Sequence, residues 1–121
     1  MNRKLLTLVL ATVIFSAARS EAQNKYLETV KVTDSIYVFK PKIDWVHGNG
    51  TAIIGKDAVF FVDTYIQTNY AEEAIRLLRK ITPLPVKFVL NTHWHNDHVT
   101  GNYIFKQHFP ADLFFASLLI S

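Results

Sequence analysis

The chain has 121 residues, of which half are hydrophobic, 19% are charged and none is cysteine. This length fits one small domain and excludes a multidomain enzyme, a large α/β barrel or a long repeat array. The lack of cysteine excludes a disulfide scaffold, a thiolate zinc site and a thiol nucleophile.

The first 22 residues follow the order of a secretory signal peptide. Two basic residues, Arg3 and Lys4, precede an apolar run over residues 5–15, and small residues follow. The run is shorter than the roughly 20 apolar residues of a membrane span, although an uncleaved anchor or a core helix is the alternative. We expect a signal peptide over residues 1–22, a mature domain over residues 23–121, a periplasmic or secreted location and no stable membrane span after cleavage.

The formal net charge of +3 comes mainly from this segment. Beyond it, ten Lys/Arg face nine Asp/Glu, which leaves a net charge of +1. A nearly neutral domain lacks the basic surface that nucleic acid or an anionic membrane requires, so we expect neither as a partner.

The next segments predict short strands. Residues Thr29–Val32 and Ile36–Lys40 alternate with a period of two, and Pro41 ends the second run. The apolar runs Thr51–Ile54 and Ala58–Val62 flank Gly55-Lys56-Asp57, which predicts a tight hairpin. Asp63 follows the second run directly.

A helix is predicted from Tyr70 to Ile81, with Asn69 as its cap and Glu72 in the capping-box position. The helical spacing gives one apolar face: Ala71, Ala74, Ile75 and Leu78. It directs three charged residues away from that face: Glu73, Arg76 and Lys80.

The rest of the chain predicts a strand over Val86–Leu90, a short helix over Gly101–His108 and a last strand over Asp112–Ala116. Strands and helices in this order predict a layered α/β fold. Ligand sites in such folds lie at the carboxyl ends of strands, where both Asp63 and a histidine cluster are placed.

The cluster His93-Trp94-His95-Asn96-Asp97-His98 holds four potential metal ligands in six residues. Imidazole and carboxylate are ligands for zinc, and also for iron or manganese. The alternative is a histidine-rich surface loop without metal. In an extended turn, His93 and His95 would bind one ion. Asp97 and His98 would then bind a second ion nearby.

Two ions would lower the pKa of a bridging water and polarise a substrate oxygen, so that hydroxide attacks a carbonyl, sulfate or phosphate centre. Asp97 would both bind metal and orient that nucleophile, which makes it the candidate catalytic residue. Asp63 would support a ligand histidine or loop amides, or would cap a helix or turn.

The segment Val86–Asn102, VKFVLNTHWHNDHVTGN, resembles the metallo-β-lactamase superfamily, as does Phe61-Val62-Asp63-Thr64. The resemblance extends from about Val30 to Phe109. It implies an αββα sandwich, zinc and hydrolase chemistry, with His93 and His95 on the first metal and Asp97 and His98 on the second. Thr100 stands where many members have glycine.

Family members usually have 200 residues or more, and their second half supplies further ligands. The resemblance therefore implies that only the N-terminal half of the sandwich is present, with one sheet face uncovered. Neither of the other histidines, His47 and His108, matches a ligand position, and His108 is expected at the surface or as a cap.

Two functions follow from these features. The first is a secreted zinc hydrolase of a small-molecule substrate, with β-lactams the leading class and thioesters, lactones or sulfate esters the alternatives. The second is a catalytically incompetent fragment that binds zinc partially, or that folds with a partner chain or as a dimer covering the open half-sandwich.

Overall fold

A computed structural model describes residues 24–43, 48–110 and 114–117, the last of these by backbone alone. The predicted signal peptide over residues 1–22 and the loop residue His47 lie outside the described residues. Within the described ranges, no helix is long and apolar enough to cross a membrane.

In the described part of the chain, six strands form one sheet whose spatial order is the chain order. The strands are β1 (Leu27–Lys31), β2 (Ile36–Pro41), β3 (Gly50–Ile54), β4 (Val59–Val62), β5 (Val86–Asn91) and β6 (Phe114–Ser117). Strands β1 to β4 pair antiparallel, whereas β4, β5 and β6 pair parallel. Each predicted strand is present with shifted ends, because alternation identifies the face of a strand better than its last residue.

The predicted β3–β4 hairpin is confirmed, since the Gly55 N–H donates to the Ala58 carbonyl at 2.8 Å. Pro41 ends β2 as predicted, as the last residue of the strand and paired in register with Leu27. A proline is tolerated at this end of the strand, beyond the last residue of β2 that pairs with β3, because its missing N–H interrupts no hydrogen bond between those strands.

Among the residues that the structure describes, three helices lie between the strands: α1 (Thr68–Ile81), α2 (Asn96–Val99) and α3 (Asn102–His108). The predicted capping of α1 by Asn69 is wrong. The helix begins earlier, after Gln67, whose carbonyl accepts the Tyr70 N–H at 3.2 Å, and the cap makes no side-chain hydrogen bond. Glu72 does not form a capping box, because its carboxylate accepts a hydrogen bond from His108 Nε2 at 2.7 Å.

The prediction for Glu73 is also wrong. Helical spacing predicted that it lies away from the buried face of α1, but it is buried. Its side chain is 6% exposed, and its carboxylate accepts hydrogen bonds from the backbone N–H groups of Lys25, Tyr26 and Leu27 at 3.1–3.2 Å. The buried charge thus has backbone donors as partners, which is what makes its burial tolerable. It fixes the start of β1 to α1.

The core lies between one face of the sheet and the helices α1 and α3. Its largest fully buried apolar side chains are Phe39, Phe61, Phe105, Leu27, Ile75 and Leu78. The opposite face of the sheet is apolar but exposed: Phe60 and Phe88 stack with ring centroids 4.4 Å apart, yet they are 45% and 37% exposed. The described part of the chain is therefore an α/β half-domain, one sheet with helices on one side, as expected.

Candidate metal centre

The parallel pairing of β4 and β5 brings the two predicted functional segments together. Residues Val62 and Leu90 are partners in register, so the chain leaves both strands at the same edge of the sheet. Asp63 follows β4 directly, and the histidine cluster follows β5. Their convergence depends on this parallel pairing, because antiparallel strands would end at opposite edges.

Asp63 is a buried anchor of the site, a residue that is 5% exposed and has a backbone φ of 60°. Its Oδ1 accepts the Thr92 N–H at 2.9 Å, and its Oδ2 accepts the Thr92 hydroxyl at 2.8 Å. The same Oδ2 lies 2.8 Å from His98 Nδ1. Asp63 therefore contacts both a loop amide and a motif histidine, the two kinds of contact that the sequence suggested.

The motif does not form the extended turn that we expected. Its second half is the helical turn α2, in which the His98 N–H donates to the His95 carbonyl at 2.9 Å. His95 itself is extended and precedes the helix as its cap. The change of backbone conformation after His95 folds Asp97 and His98 back toward His93.

Three side chains form a group of candidate ligands. One nitrogen or oxygen atom from each of His93, Asp97 and His98 lies within 4.8 Å of the others. The His93 and His98 rings have centroids 4.0 Å apart. The exposed His95 ring lies 4.5 Å from the His93 ring, but His95 is outside this group of three. The division of four ligands between two ions therefore stays a prediction.

The donor set fits a divalent metal. Because Asp63 accepts the Nδ1 proton of His98, the neutral ring turns its Nε2 lone pair outward, 3.1 Å from Asp97 Oδ2. Two lone pairs at this separation repel each other unless a proton or a metal cation joins them. Imidazole nitrogen and carboxylate oxygen are both zinc ligands, and the carboxylate behind the histidine is the usual support of such a ligand.

A set of polar residues that sequence analysis overlooked fixes the His98 backbone. The His98 carbonyl accepts hydrogen bonds from the Thr64 N–H and from Asn91 Nδ2, both at 2.8 Å. Asn102 Nδ2 in turn donates to Asn91 Oδ1, and Thr64 Oγ1 donates to Asn102 Oδ1, again at 2.8 Å. The sequence signal was available: Asn91 is a polar residue at the end of a buried strand, and Asn102 is one at the start of a helix.

The loop between β2 and β3 also reaches the site. A Cβ added to Gly48 would lie 2.7 Å from His98 Cε1, so a larger residue here would have to displace that ring. His108, in contrast, lies at the far end of α3, where its ring bridges Glu72 and Arg79. It therefore makes side-chain contacts between two helices and takes no part in the group around His98.

The segment that contains this site also matches a protein family model. The model of the family described as the metallo-beta-lactamase superfamily matches residues 43–116. The match spans β3 to β5 and the whole histidine cluster. The chain belongs to the metallo-β-lactamase superfamily.

Solved metallo-β-lactamases have the same fold over most of the chain. The enzyme FIM-1 from Pseudomonas aeruginosa, described in its mono-zinc form, gives a TM-score of 0.65 at 16% identity over 78% of this chain and 43% of that one. The enzyme from Hirschia baltica gives 0.64 at 19% identity, over 79% and 45%. DIM-1 gives 0.61 at 24% identity, over 78% and 43%. At these identities the likeness establishes the fold alone.

A curated relative is the alkyl/aryl-sulfatase BDS1 of Saccharomyces cerevisiae, 35% identical over 72 residues, which are 59% of this chain and 11% of the sulfatase. The chain thus spans less than half of the three solved enzymes and about a tenth of the sulfatase. Superfamily membership points to hydrolase chemistry.

Proposed function

We propose that this chain carries the zinc-binding motif of a hydrolase that acts on a small molecule. The observation that supports the proposal is the convergence of ligand atoms from His93, Asp97 and His98 beside a carboxylate-supported ring. In this proposal His95 is a further ligand, as the superfamily motif implies. Bound zinc would supply an activated water and a Lewis acid for the substrate oxygen.

The residues of this chain have separate roles in that chemistry. His93 and His98 bind through imidazole nitrogens, and Asp63 holds the His98 ring in the orientation for binding. Asp97 is about one-third exposed at the mouth of the site, so its carboxylate can bind metal and also accept a hydrogen bond from the attacking water. The partly buried network of Asn91, Thr64 and Asn102 keeps the His98 backbone fixed while substrate binds.

Metal removal tests the zinc site. We expect the purified protein to contain zinc, to lose it to a strong chelator, and to lose affinity by roughly 10–100-fold when Asp63, which supports a ligand, is changed to Ala. Metal content by elemental analysis and affinity by competition with a chromogenic chelator are the measurements. Glu72→Ala, which removes an exposed carboxylate next to His108, is the matched control. Equal zinc affinity in wild type, Asp63→Ala and Asp97→Ala would contradict the assignment.

Two substrate classes are proposed. β-Lactams come first because a secreted enzyme would meet them outside the cytoplasm, and the N-terminal segment has the pattern of a secretory signal peptide. Sulfate esters are the second class, supported by the 35% sequence identity with the alkyl/aryl-sulfatase over 72 residues. A chromogenic cephalosporin and an aryl sulfate, each assayed with and without chelator, distinguish the two. Thioesters and lactones complete the panel.

We further propose a periplasmic or secreted location after cleavage near residue 22, and a small-molecule rather than nucleic-acid substrate.

The alternative to a hydrolase is an inactive fragment that binds zinc partially, or one that needs a second copy or a partner chain. Less than one zinc per chain, together with no chelator-sensitive hydrolysis, would support that alternative. Mass spectrometry of secreted protein would establish the N-terminal residue.

A further inference from the structure

The hydroxyl of Thr92 lies between the two histidines and the buried carboxylate. Its Oγ1 is 2.8 Å from Asp63 Oδ2, 3.0 Å from His93 Nδ1 and 3.4 Å from His98 Nδ1. A hydroxyl has one proton to donate and can accept two hydrogen bonds. The direction of each of these contacts is therefore determined by which neighbour takes that proton.

The Thr92 hydroxyl donates its hydrogen bond to Asp63. An ionised carboxylate only accepts hydrogen bonds, so the 2.8 Å contact requires Thr92 to be the donor. If the hydroxyl proton pointed to His93 instead, two oxygen lone pairs would face each other across 2.8 Å in a buried setting, which is costly. His98 makes its own 2.8 Å bond to the same carboxylate oxygen and does not compete for the hydroxyl.

The direction of the third contact follows. Because the hydroxyl proton points to Asp63, Thr92 Oγ1 can only accept a hydrogen bond from His93 Nδ1, which lies 3.0 Å away. The neutral His93 ring must then carry its proton on Nδ1, which leaves the lone pair on Nε2. His98 carries its proton on Nδ1 for the same reason, through its direct bond to Asp63.

We propose that Thr92 is a positioning residue of the metal site, whose Asp63-oriented hydroxyl holds the His93 proton on Nδ1 and thereby presents the Nε2 lone pair to the metal. One buried carboxylate then sets the tautomers of two histidines, His98 directly and His93 through Thr92. The consequence for metal affinity rests on the proposed function, whereas the tautomer is a property of the metal-free protein. This second level of support was absent from the sequence analysis, in which Thr92 was not singled out.

The test begins with the ring nitrogens of the metal-free protein. Histidine labelled with ¹⁵N is measured by NMR at about pH 8.5, some two units above the ordinary imidazole pKa of model peptides. We expect wild type and Thr92→Ser to show His93 protonated on Nδ1. We expect Thr92→Val, which keeps the size and the backbone N–H bond to Asp63 but lacks the hydroxyl, to shift His93 toward the Nε2-protonated form.

His98 and His108 are internal controls in the same spectrum. His98 should stay protonated on Nδ1 in Thr92→Val, because its bond to Asp63 is direct, and an unchanged His108 signal shows that the fold is intact. Thr92→Ala, which also lacks the hydroxyl, replaces the valine variant if that one does not fold. A wild-type His93 protonated on Nε2, or a Thr92→Val spectrum identical to wild type, overturns the proposal.

Zinc affinity by chelator competition is the second readout. We expect Thr92→Val to bind roughly 10-fold or more weakly than wild type, within the range found for ligand-supporting residues, and Thr92→Ser to bind like wild type. If the tautomers behave as expected and no variant binds zinc, the proposed function fails while the role of Thr92 in setting the tautomer stands. If wild type binds zinc but Thr92→Val binds equally well, the proposed role of Thr92 in metal binding fails.

Discussion

Two buried polar side chains join segments that are distant in sequence. The Tyr65 hydroxyl donates to the Phe39 carbonyl at 2.8 Å and accepts the Gly50 N–H at 3.1 Å, so it closes the ends of β2 and β3 onto the loop after β4. Glu73 does the same for the start of β1. Each side chain satisfies backbone groups that would otherwise be buried without partners, which is why each is stable in the core.

Tyr65→Phe isolates the contribution of that hydroxyl to stability. We expect it to lower the free energy of unfolding by about 1–3 kcal/mol, because the Phe39 carbonyl and the Gly50 N–H lose their partner. Chemical denaturation measures the change. The control is Tyr103→Phe, at a half-exposed ring on α3, for which we expect almost no effect.

The stability difference between wild type and Tyr65→Phe should also depend on pH. Burial raises the pKa of Tyr65 well above the ordinary tyrosine value of 10, so the folded state keeps a proton that the unfolded state loses. Wild-type stability from this group is complete below pH 10 and declines as pH rises beyond it. The difference between wild type and Tyr65→Phe should therefore narrow above pH 10. A constant difference would contradict the burial of the hydroxyl.

At the scale of elements, α3 lies unusually close to the loop after β4. A Cβ added to Gly101, which caps α3, would lie 1.9 Å from the Thr64 carbonyl oxygen and 2.9 Å from Ala71 Cβ. A backbone oxygen cannot rotate away as a side chain can, so any larger residue must displace α3. The glycine at this position is required by close approach, and it lets Asn102 reach Thr64 and Asn91.

Gly101→Ala tests this close approach. We expect a loss of about 1–3 kcal/mol in the free energy of unfolding from overpacking, together with weaker zinc binding because Asn102 moves. Gly55→Ala in the β3–β4 turn is the milder comparison, since its Cβ would meet the Ala58 carbonyl oxygen at 3.1 Å, a tight contact but far less severe than 1.9 Å. A Gly101→Ala variant as stable as Gly55→Ala would mean that α3 is free to shift.

For the whole molecule, the open face of the sheet is the main feature. Within the described residues, one face is covered by α1 and α3, while the other presents Val30, Ile53, Phe60 and Phe88 to solvent. Exposed apolar surface of this kind marks an interface or an aggregation risk. We proposed a partner chain or a second copy as its cover.

Phe60→Lys tests whether this face drives association. We expect the variant to lose about 1 kcal/mol of stability with the stacking on Phe88, but to be less associated than wild type at equal concentration. Sedimentation velocity gives the association state. Tyr103→Lys removes an exposed aromatic ring from the covered side and should leave association unchanged. Equal association of both variants would show that the open face is not the contact.

Much of the local structure was predictable from the sequence. The alternation at β1 to β4, the Gly55 hairpin and the apolar face of α1 are local patterns, and all of them are present in the structure. Two of the errors concern groups whose partners are distant. Glu73 has helical spacing for an exposed side, but it is buried because β1 brings backbone N–H groups to it. Glu72 likewise pairs with His108, which lies 36 residues away.

The sequence by itself determined the motif, its position after a strand and the superfamily to which the chain belongs. Only the tertiary structure decided how the ligands are held. The parallel pairing of β4 and β5 brings Asp63 to Thr92 and His98, residues 29 and 35 positions away. Hydrogen-bond direction within that group depends on distances of about 3 Å between side chains. Residue spacing along a chain carries no information about such distances, because strand pairing sets them.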